Sequence, residues 1–240
     1  MELFFEELQT PSLRELFVKQ MEGMILSGKM AIGTKLPTER ELSEKMKVSR
    51  AIVNGGIADM EAKGFLEVIP RTGTYVSNYK NKGKVEVLNS IMQYNGDDFD
   101  IEMLQSFMQF RKDMENTNTM KAALNRSEED LEVIESHLIK MENTDDIAEL
   151  AELAFKFHHS VSIASGNIIY PLMYNSFYPI VYALNKKYFI LTGKDGKQQC
   201  LAIMRKIFES IRNKNALEAR EAIMDEIDTS GKALGFRLTE

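Results

Sequence analysis

Residues 36–76, LPTERELSEKMKVSRAIVNGGIADMEAKGFLEVIPRTGTYV, decide the fold of the first third of the chain. Thr38 and Glu41 stand three apart, the spacing at which each side chain satisfies the other's free backbone N–H at a helix start. That helix is short and ends near Met46-Lys47. Ser49 is a preferred N-cap for the next one, in which Ile52, Val53, Ile57 and Met60 recur at helical spacing until Gly64 stops it. Phe65 to Ile69 is rich in strand formers, Pro70-Arg71-Thr72-Gly73 has turn chemistry, and Thr74-Tyr75-Val76 reads as a second strand. Helix, turn, helix and hairpin make a winged helix-turn-helix, whose second helix, residues 50–63, enters the major groove of DNA.

Upstream, Pro11 opens a helix where its missing N–H is no loss, and Leu13, Phe17, Met21, Met24 and Ile25 form its apolar stripe up to Gly28. Downstream, residues 77–84 are polar and interrupted by glycine. The expected organisation is a winged domain over residues 1–78, a linker at 79–84 and an all-helical domain over 85–240. Expected helices in that domain are a short one with Val85, Leu88, Ile91 and Met92 ending at Asn95-Gly96, and a long one from an Asp100 cap. Others start at Ser127, Ile147, Ile168, Gln198 and Ala216, and the sixth of these seven is separated from the fifth by a loop after Leu191. The fold class is mostly α, with a small β-hairpin and an antiparallel bundle of six to seven helices.

Gly28, Gly33, LPTERELSE, VSR, Gly64-Phe65-Leu66 and RTGTYV resemble the DNA-binding domain of the GntR transcription regulators. Two departures bear on the operator sequence and not on the fold. Asn54-Gly55-Gly56 replaces the family's usual Arg-Glu-Ala, and Lys47 stands where a glycine is usual. The scaffold puts Arg40, Ser49, Arg50 and Asn54 on its DNA side, with Arg71, Thr72 and Gly73 at the wing tip. An arginine can reach a phosphate or a guanine edge, an asparagine can pair with adenine, and a helix N-terminus favours a phosphate. Each of Gly55 and Gly56 should weaken the helix by about 0.8–1.0 kcal/mol relative to alanine. Either the backbone packs tightly on the first helix there or the helix is loose.

Composition bounds the rest. With 44% apolar and 28% charged residues the chain reads as a soluble globular protein, and no apolar run approaches the ~20 residues that span a bilayer. The acidic start MELFFEELQ is not a targeting segment, and the single Cys200 excludes an internal disulfide, so a cytoplasmic location with no membrane partner is expected. Residues 1–80 hold 11 Lys+Arg and 11 Asp+Glu, while the remainder carries the whole net charge of −6. Such a chain does not coat nucleic acid indiscriminately, so motif rather than charge carries the DNA expectation. The rival from another class, a helical-bundle metalloenzyme with an attached winged domain, is disfavoured: no Glu-x-x-His pair, glycine-rich phosphate loop or nucleophile motif occurs.

In the helical domain, FHHSVSIASGNIIYPLMYNSFYPIVYALNKKYF, residues 157–189, resembles the effector domain of the FadR branch of GntR regulators. The likeness covers most of residues 84–235 and is dense in 157–189, where Ala164-Ser165-Gly166-Asn167, Ile169-Tyr170, Asn175 and Tyr188-Phe189 resemble the fatty-acid-responsive type. Most members of the branch hold a divalent metal with one Asp and three His; those positions fall on Ala154, His158, Met204 and Glu226 here, so one ligand of four remains. No metal and no cofactor is therefore expected, and His158 reads as a hydrogen-bonded core or pocket histidine. The fatty-acid-responsive type also lacks the metal set and binds a long-chain acyl-CoA. Tyr170, Tyr174, Phe177, Tyr178, Val181 and Tyr182 share faces of one expected helix, either as core packing or as the wall of an acyl pocket. The expected effector residues are His158, Tyr178, Tyr182, Met204, Glu226 and Ser230. The resemblance implies a homodimeric regulator on a pseudo-palindromic DNA operator, responsive to an acyl-CoA or similar apolar-tailed metabolite. The alternatives are a small organic acid as effector, with or without a metal, and a winged module used only for protein contacts.

Overall fold

The computed structural model of the chain describes residues 11–95 and 101–235, and it divides into two compact units, Met1–Gly96 and Asp97–Glu240. Asp100 and Gly96, the expected cap and stop, lie outside the described residues, as does the side chain of Met92. No described helix is long and apolar enough to cross a membrane.

The first unit begins with α1 (Leu13–Leu26), capped by Ser12 and Glu15, so Pro11 precedes the cap instead of opening the helix. Thr38 and Glu41 form the expected box on α2 (Glu39–Met46). Ser49 Oγ accepts from the Ile52 N–H at 3.3 Å to start α3 (Arg50–Lys63), and Gly64, at φ 95°, ends it. Lys47 closes α2 in the left-handed region at φ 52°, a conformation that costs glycine least. β1 (Leu66–Ile69) and β2 (Gly73–Val76) pair antiparallel, with Leu66 opposite Val76 and Ile69 opposite Gly73. Phe17, Met21, Val53, Met60 and Phe65 form the centre of one core. Where α1 crosses α3, a Cβ on Gly56 would overlap the Phe17 ring. Tight packing, not looseness, accounts for that glycine.

The expected linker and the helix after it belong to this same unit. Tyr79–Lys82 forms a helical turn, α4, whose Tyr79 ring packs on Phe65 at 5.4 Å, and the Lys84 N–H donates to the Lys63 carbonyl at 3.1 Å. Helix α5 (Val85–Asn95) buries Val87 in the core. Buried Glu22 of α1 accepts from Lys63 Nζ at 2.8 Å and from Ser90 Oγ at 3.0 Å, tying α1, α3 and α5 together. A polar, glycine-interrupted composition resembles a linker, but here its backbone is held against the end of α3.

The second unit is a bundle of α6 (Ile101–Asn125), α7 (Glu128–Glu142), α8 (Ile147–Ala164), α9 (Ile169–Ser176), α10 (Tyr178–Arg212) and α11 (Ala216–Ala233). Helix α8 lies among α6, α7, α9 and α10, and buries Leu150, Ala154, Phe157, His158 and Val161. Ile134, Leu138, Met204, Phe208 and Ile223 meet it in one core. Two boundaries differ from expectation. The helix expected from Ile168 to Leu191 breaks at Phe177, with Pro179 in the first turn of α10, where its missing N–H needs no partner. The loop expected after Leu191 shrinks to one residue: Gly193, at φ 59° and ψ −143°, kinks α10 and the helix resumes. Lys197 Nζ secures the resumed helix by donating to the Thr144 carbonyl at 2.7 Å and to Asp145 Oδ1 at 2.8 Å.

Candidate DNA interface and ligand pocket

The N-terminus of α3 presents Arg50 and, one turn on, Asn54, both exposed on one face. Ser49 is exposed, with its hydroxyl oxygen engaged as the helix cap. Asn54 Nδ2 donates to Glu39 Oε1 at 3.1 Å, which fixes the amide and links the two helices of the motif. Arg40, with a 67% exposed side chain, reaches Glu44 only at 3.9 Å and keeps its guanidinium available. Arg71 and Thr72 are exposed at the wing tip, and Arg71 takes the left-handed conformation at φ 62°. Gly73, at φ 133°, lets the Lys35 side chain lie against the hairpin, with Nζ 5.9 Å above the Tyr75 ring. Lys35 thus joins the wing through a β-bridge to Tyr75. Nothing in the local spacing around residue 35 announces that pairing. Arg14 of α1 is taken by Asp59, with its guanidinium lying over Gly55.

In the second unit a pocket opens among α6, α8, α10 and α11. Leu184, Phe189, Ile203, Met204 and Leu234 supply an apolar wall, with Ala154 and Cys200; Arg111, Asn185, Tyr188, Glu226, Thr229 and Ser230 supply polar atoms. The Gly193 kink brings Tyr188 and Phe189 to one side and Cys200 and Met204 to the other. The cavity is about 20 Å³, room for about one or two water molecules, so any larger ligand must part its walls.

Its polar floor is a buried charge cluster. Arg111 Nε donates to Glu115 Oε1 at 2.6 Å, and its Nη2 reaches Glu115 Oε2 at 3.4 Å and Glu226 Oε2 at 3.5 Å. Burial opposes the charge on Arg111, but Glu115 and Glu226 outweigh it and hold the guanidinium pKa above its ordinary value. His158, 4% exposed, turns Nδ1 to Glu115 Oε2 at 3.5 Å. The buried Tyr174 ring lies beside the group, its pKa raised by burial and then by Glu115. Tyr188, pushed up to about 12 chiefly by burial, donates across the kink to the Gly196 carbonyl at 3.1 Å. Burial also pushes the Cys200 thiol up, so it is held as an unreactive thiol.

Of the expected effector residues, Met204, Glu226 and Ser230 line the pocket, and His158 stands in the adjoining cluster. Tyr178 and Tyr182 do not line it. Tyr178 is 38% exposed, donates to Glu152 Oε2 at 2.7 Å and stacks on Tyr182 at 5.8 Å. Both stand in the first two turns of α10, N-terminal to residues 184–189 that line the pocket. Arg111, Glu115 and Tyr188 were not among the expected residues. Their one sequence signal is the Arg111–Glu115 pair at i,i+4, ordinarily a surface pattern.

Residues 13–76 match the bacterial regulatory proteins of the gntR family, and residues 106–229 match the FCD domain. The chain belongs to the GntR family, with an FCD domain. It is a DNA-binding transcription regulator and not an enzyme. The fatty acid metabolism regulator protein of Shewanella pealeana is 28% identical over 165 residues, 69% of this chain and 67% of that protein. The HTH-type transcriptional regulator LutR of Bacillus subtilis is 25% identical over 205 residues, 84% of this chain and 91% of its own. A solved structure of Lar, described as controlling expression of the Listeria monocytogenes agr system, agrees at a TM-score of 0.66 with 14% identity, covering 95% of this chain and 99% of that one; this likeness concerns the fold.

The FCD residues of this GntR protein do not fit a divalent metal. Glu115, His158 and Glu226 do bring ligand atoms within 4.8 Å of one another. A guanidinium already bonds both carboxylates, however, while Ala154 offers no ligand atom and Met204 only a thioether. Arg111 supplies the positive charge at this place in the FCD domain.

Proposed function

We propose that this GntR regulator binds a pseudo-palindromic operator as a homodimer and releases it when the FCD pocket takes an apolar-tailed metabolite of the acyl-CoA class. The observation that carries the effector reading is the pocket's wall of Leu184, Phe189, Ile203, Met204 and Leu234 beside a cluster whose carboxylates, Glu115 and Glu226, are bonded by Arg111. Affinity there must come from apolar burial, at about 25 cal/mol per Å². An acyl chain offers such surface, and a short dicarboxylate does not. The fatty acid metabolism regulators among the relatives support the same class. The cavity is small, so the ligand must spread the two halves of α10 about Gly193. On the DNA side, Arg50 and Asn54 read base edges, Arg40 and the Ser49 end of α3 hold phosphates, and Arg71, Thr72 and Gly73 enter the minor groove. A winged domain of zero net charge makes few phosphate contacts, so two acting together are needed at physiological salt.

The test selects an operator from random duplex DNA with full-length protein, then titrates acyl-CoAs of increasing chain length against the complex. A two-fold site, released at concentrations that fall as the chain lengthens, is expected. Release by short acids alone, or with no dependence on chain length, removes the acyl reading. A site with no two-fold repeat removes the dimer.

A further inference from the structure

Glu226 is a buried carboxylate with few partners. A carboxylate accepts at about four lone-pair positions. Glu226, 8% exposed, receives among the described residues a single hydrogen bond, the 3.5 Å contact from Arg111 Nη2. That guanidinium is committed more closely to Glu115, through Nε at 2.6 Å. One guanidinium faces both carboxylates, and Glu226 has the longer, 3.5 Å contact with it. His158 gives Glu226 no hydrogen bond: Nδ1 faces Glu115, and the buried Nε2 has no hydrogen-bond partner. A molecule that fills the pocket takes water from this carboxylate, a loss that is unfavourable unless the molecule supplies a donor. Glu226 lines the pocket, so the donor can come from what the pocket binds.

We propose that the end of the effector meeting Glu226 carries a hydrogen-bond donor, a hydroxyl, amide or ammonium group, and not a free carboxylate; this rests on the pocket being the site of an apolar-tailed effector. A donor completes the shell that Glu226 lacks. A carboxylate in its place would be a third anion around one guanidinium, with Arg111 already bonded to both glutamates. Thr229 and Ser230 sit beside Glu226 without adding a cation, and Leu184, Phe189, Ile203 and Met204 take the aliphatic body. Glu226 is thereby the specificity-determining residue of the pocket, excluding free fatty acids bound head-inward and short organic acids.

The experiment is titration calorimetry of the full-length protein with octylamine, octanol, octanamide and octanoate at neutral pH, repeated with hexyl and decyl members. In wild type the donor-bearing probes should bind about tenfold or more tightly than octanoate, the fold-change of one hydrogen bond to a charged acceptor. In Glu226→Gln, which keeps size and removes the charge, octanoate should tighten and the gap fall to within about threefold. Octanoate binding as tightly as the donor probes in wild type overturns the proposal, as does a gap unchanged in Glu226→Gln. If that variant does not fold, as judged by its circular dichroism melt, the wild-type ranking decides alone. Affinity that grows with chain length without head-group preference overturns this selection and leaves the apolar-tail reading intact. No binding of any probe, or none that grows with chain length, overturns both.

Discussion

Two adjacent glycines in α3 stand in different surroundings. Gly56 faces the Phe17 ring, which is buried and cannot withdraw, whereas Gly55 faces the flexible, half-exposed end of Arg14. Gly56→Ala should therefore destabilise the first unit by about 1–3 kcal/mol through overpacking. Gly55→Ala should be neutral or stabilise it by up to about 1 kcal/mol through helix propensity. Chemical denaturation of the two variants checks this, and equal effects would mean the α1–α3 contact is misplaced. Arg111 makes the same point for charge. Arg111→Leu leaves Glu115 and Glu226 buried together without a cation, and should cost about 3–5 kcal/mol, read as a lowered denaturation midpoint of the second unit.

Helix starts carry much of the first unit's specification. Glu15 and Glu41 each accept from the backbone N–H of their caps, Ser12 and Thr38, and these bonds hold both carboxyls below their ordinary pKa of 4.5. A depressed carboxyl pKa gives stability that is present above the unfolded value and lost as pH falls through the folded one. Melting temperature followed downward from pH 5 should fall less steeply in the Glu15→Gln, Glu41→Gln double variant than in wild type; parallel curves would assign acid sensitivity elsewhere. The exposed face of α3 carries a further prediction. Arg50→Ala should cost about 1–3 kcal/mol of operator binding and relax base preference at one position of each half-site, measured by gel shift against a substituted operator set. Unchanged binding to every sequence would exclude α3 as the reading helix.

At the scale of the whole molecule, Arg111 stands between Glu115 and Glu226 in the FCD domain, where a metal would otherwise have to sit. Prolonged dialysis against a strong chelator should leave the domain's melting temperature unchanged, and added zinc, nickel or manganese should not raise it. A shift of several degrees on metal addition would mean that Arg111 yields its place to the ion. In the first unit, Glu22 joins α3 through Lys63 to α5 through Ser90, so the last helix before the second unit is fastened to the one that presents Arg50. The expected boundary at 79–84 instead separates elements that pack together, and the division lies near Gly96.

The sequence by itself determined the winged motif. Its signals are local: Thr38 with Glu41, Ser49, Gly64 and the 70–73 turn each act within four residues, and the structure forms a cap, stop or hairpin at each. It also determined that the remainder is helical, because apolar periodicity is legible within one element. Only the tertiary structure decided which residues meet. Arg111 and Glu226 are 115 positions apart, and their pairing follows from how α6 and α11 pack, not from any spacing within either helix. Tyr178 and Tyr182 stand in the first turns of α10, before residues 184–189 that line the pocket, and Tyr178 bonds Glu152 of α8 instead. A one-residue break at Phe177 changes which residues share a face, and periodicity cannot register a break that leaves both sides helical.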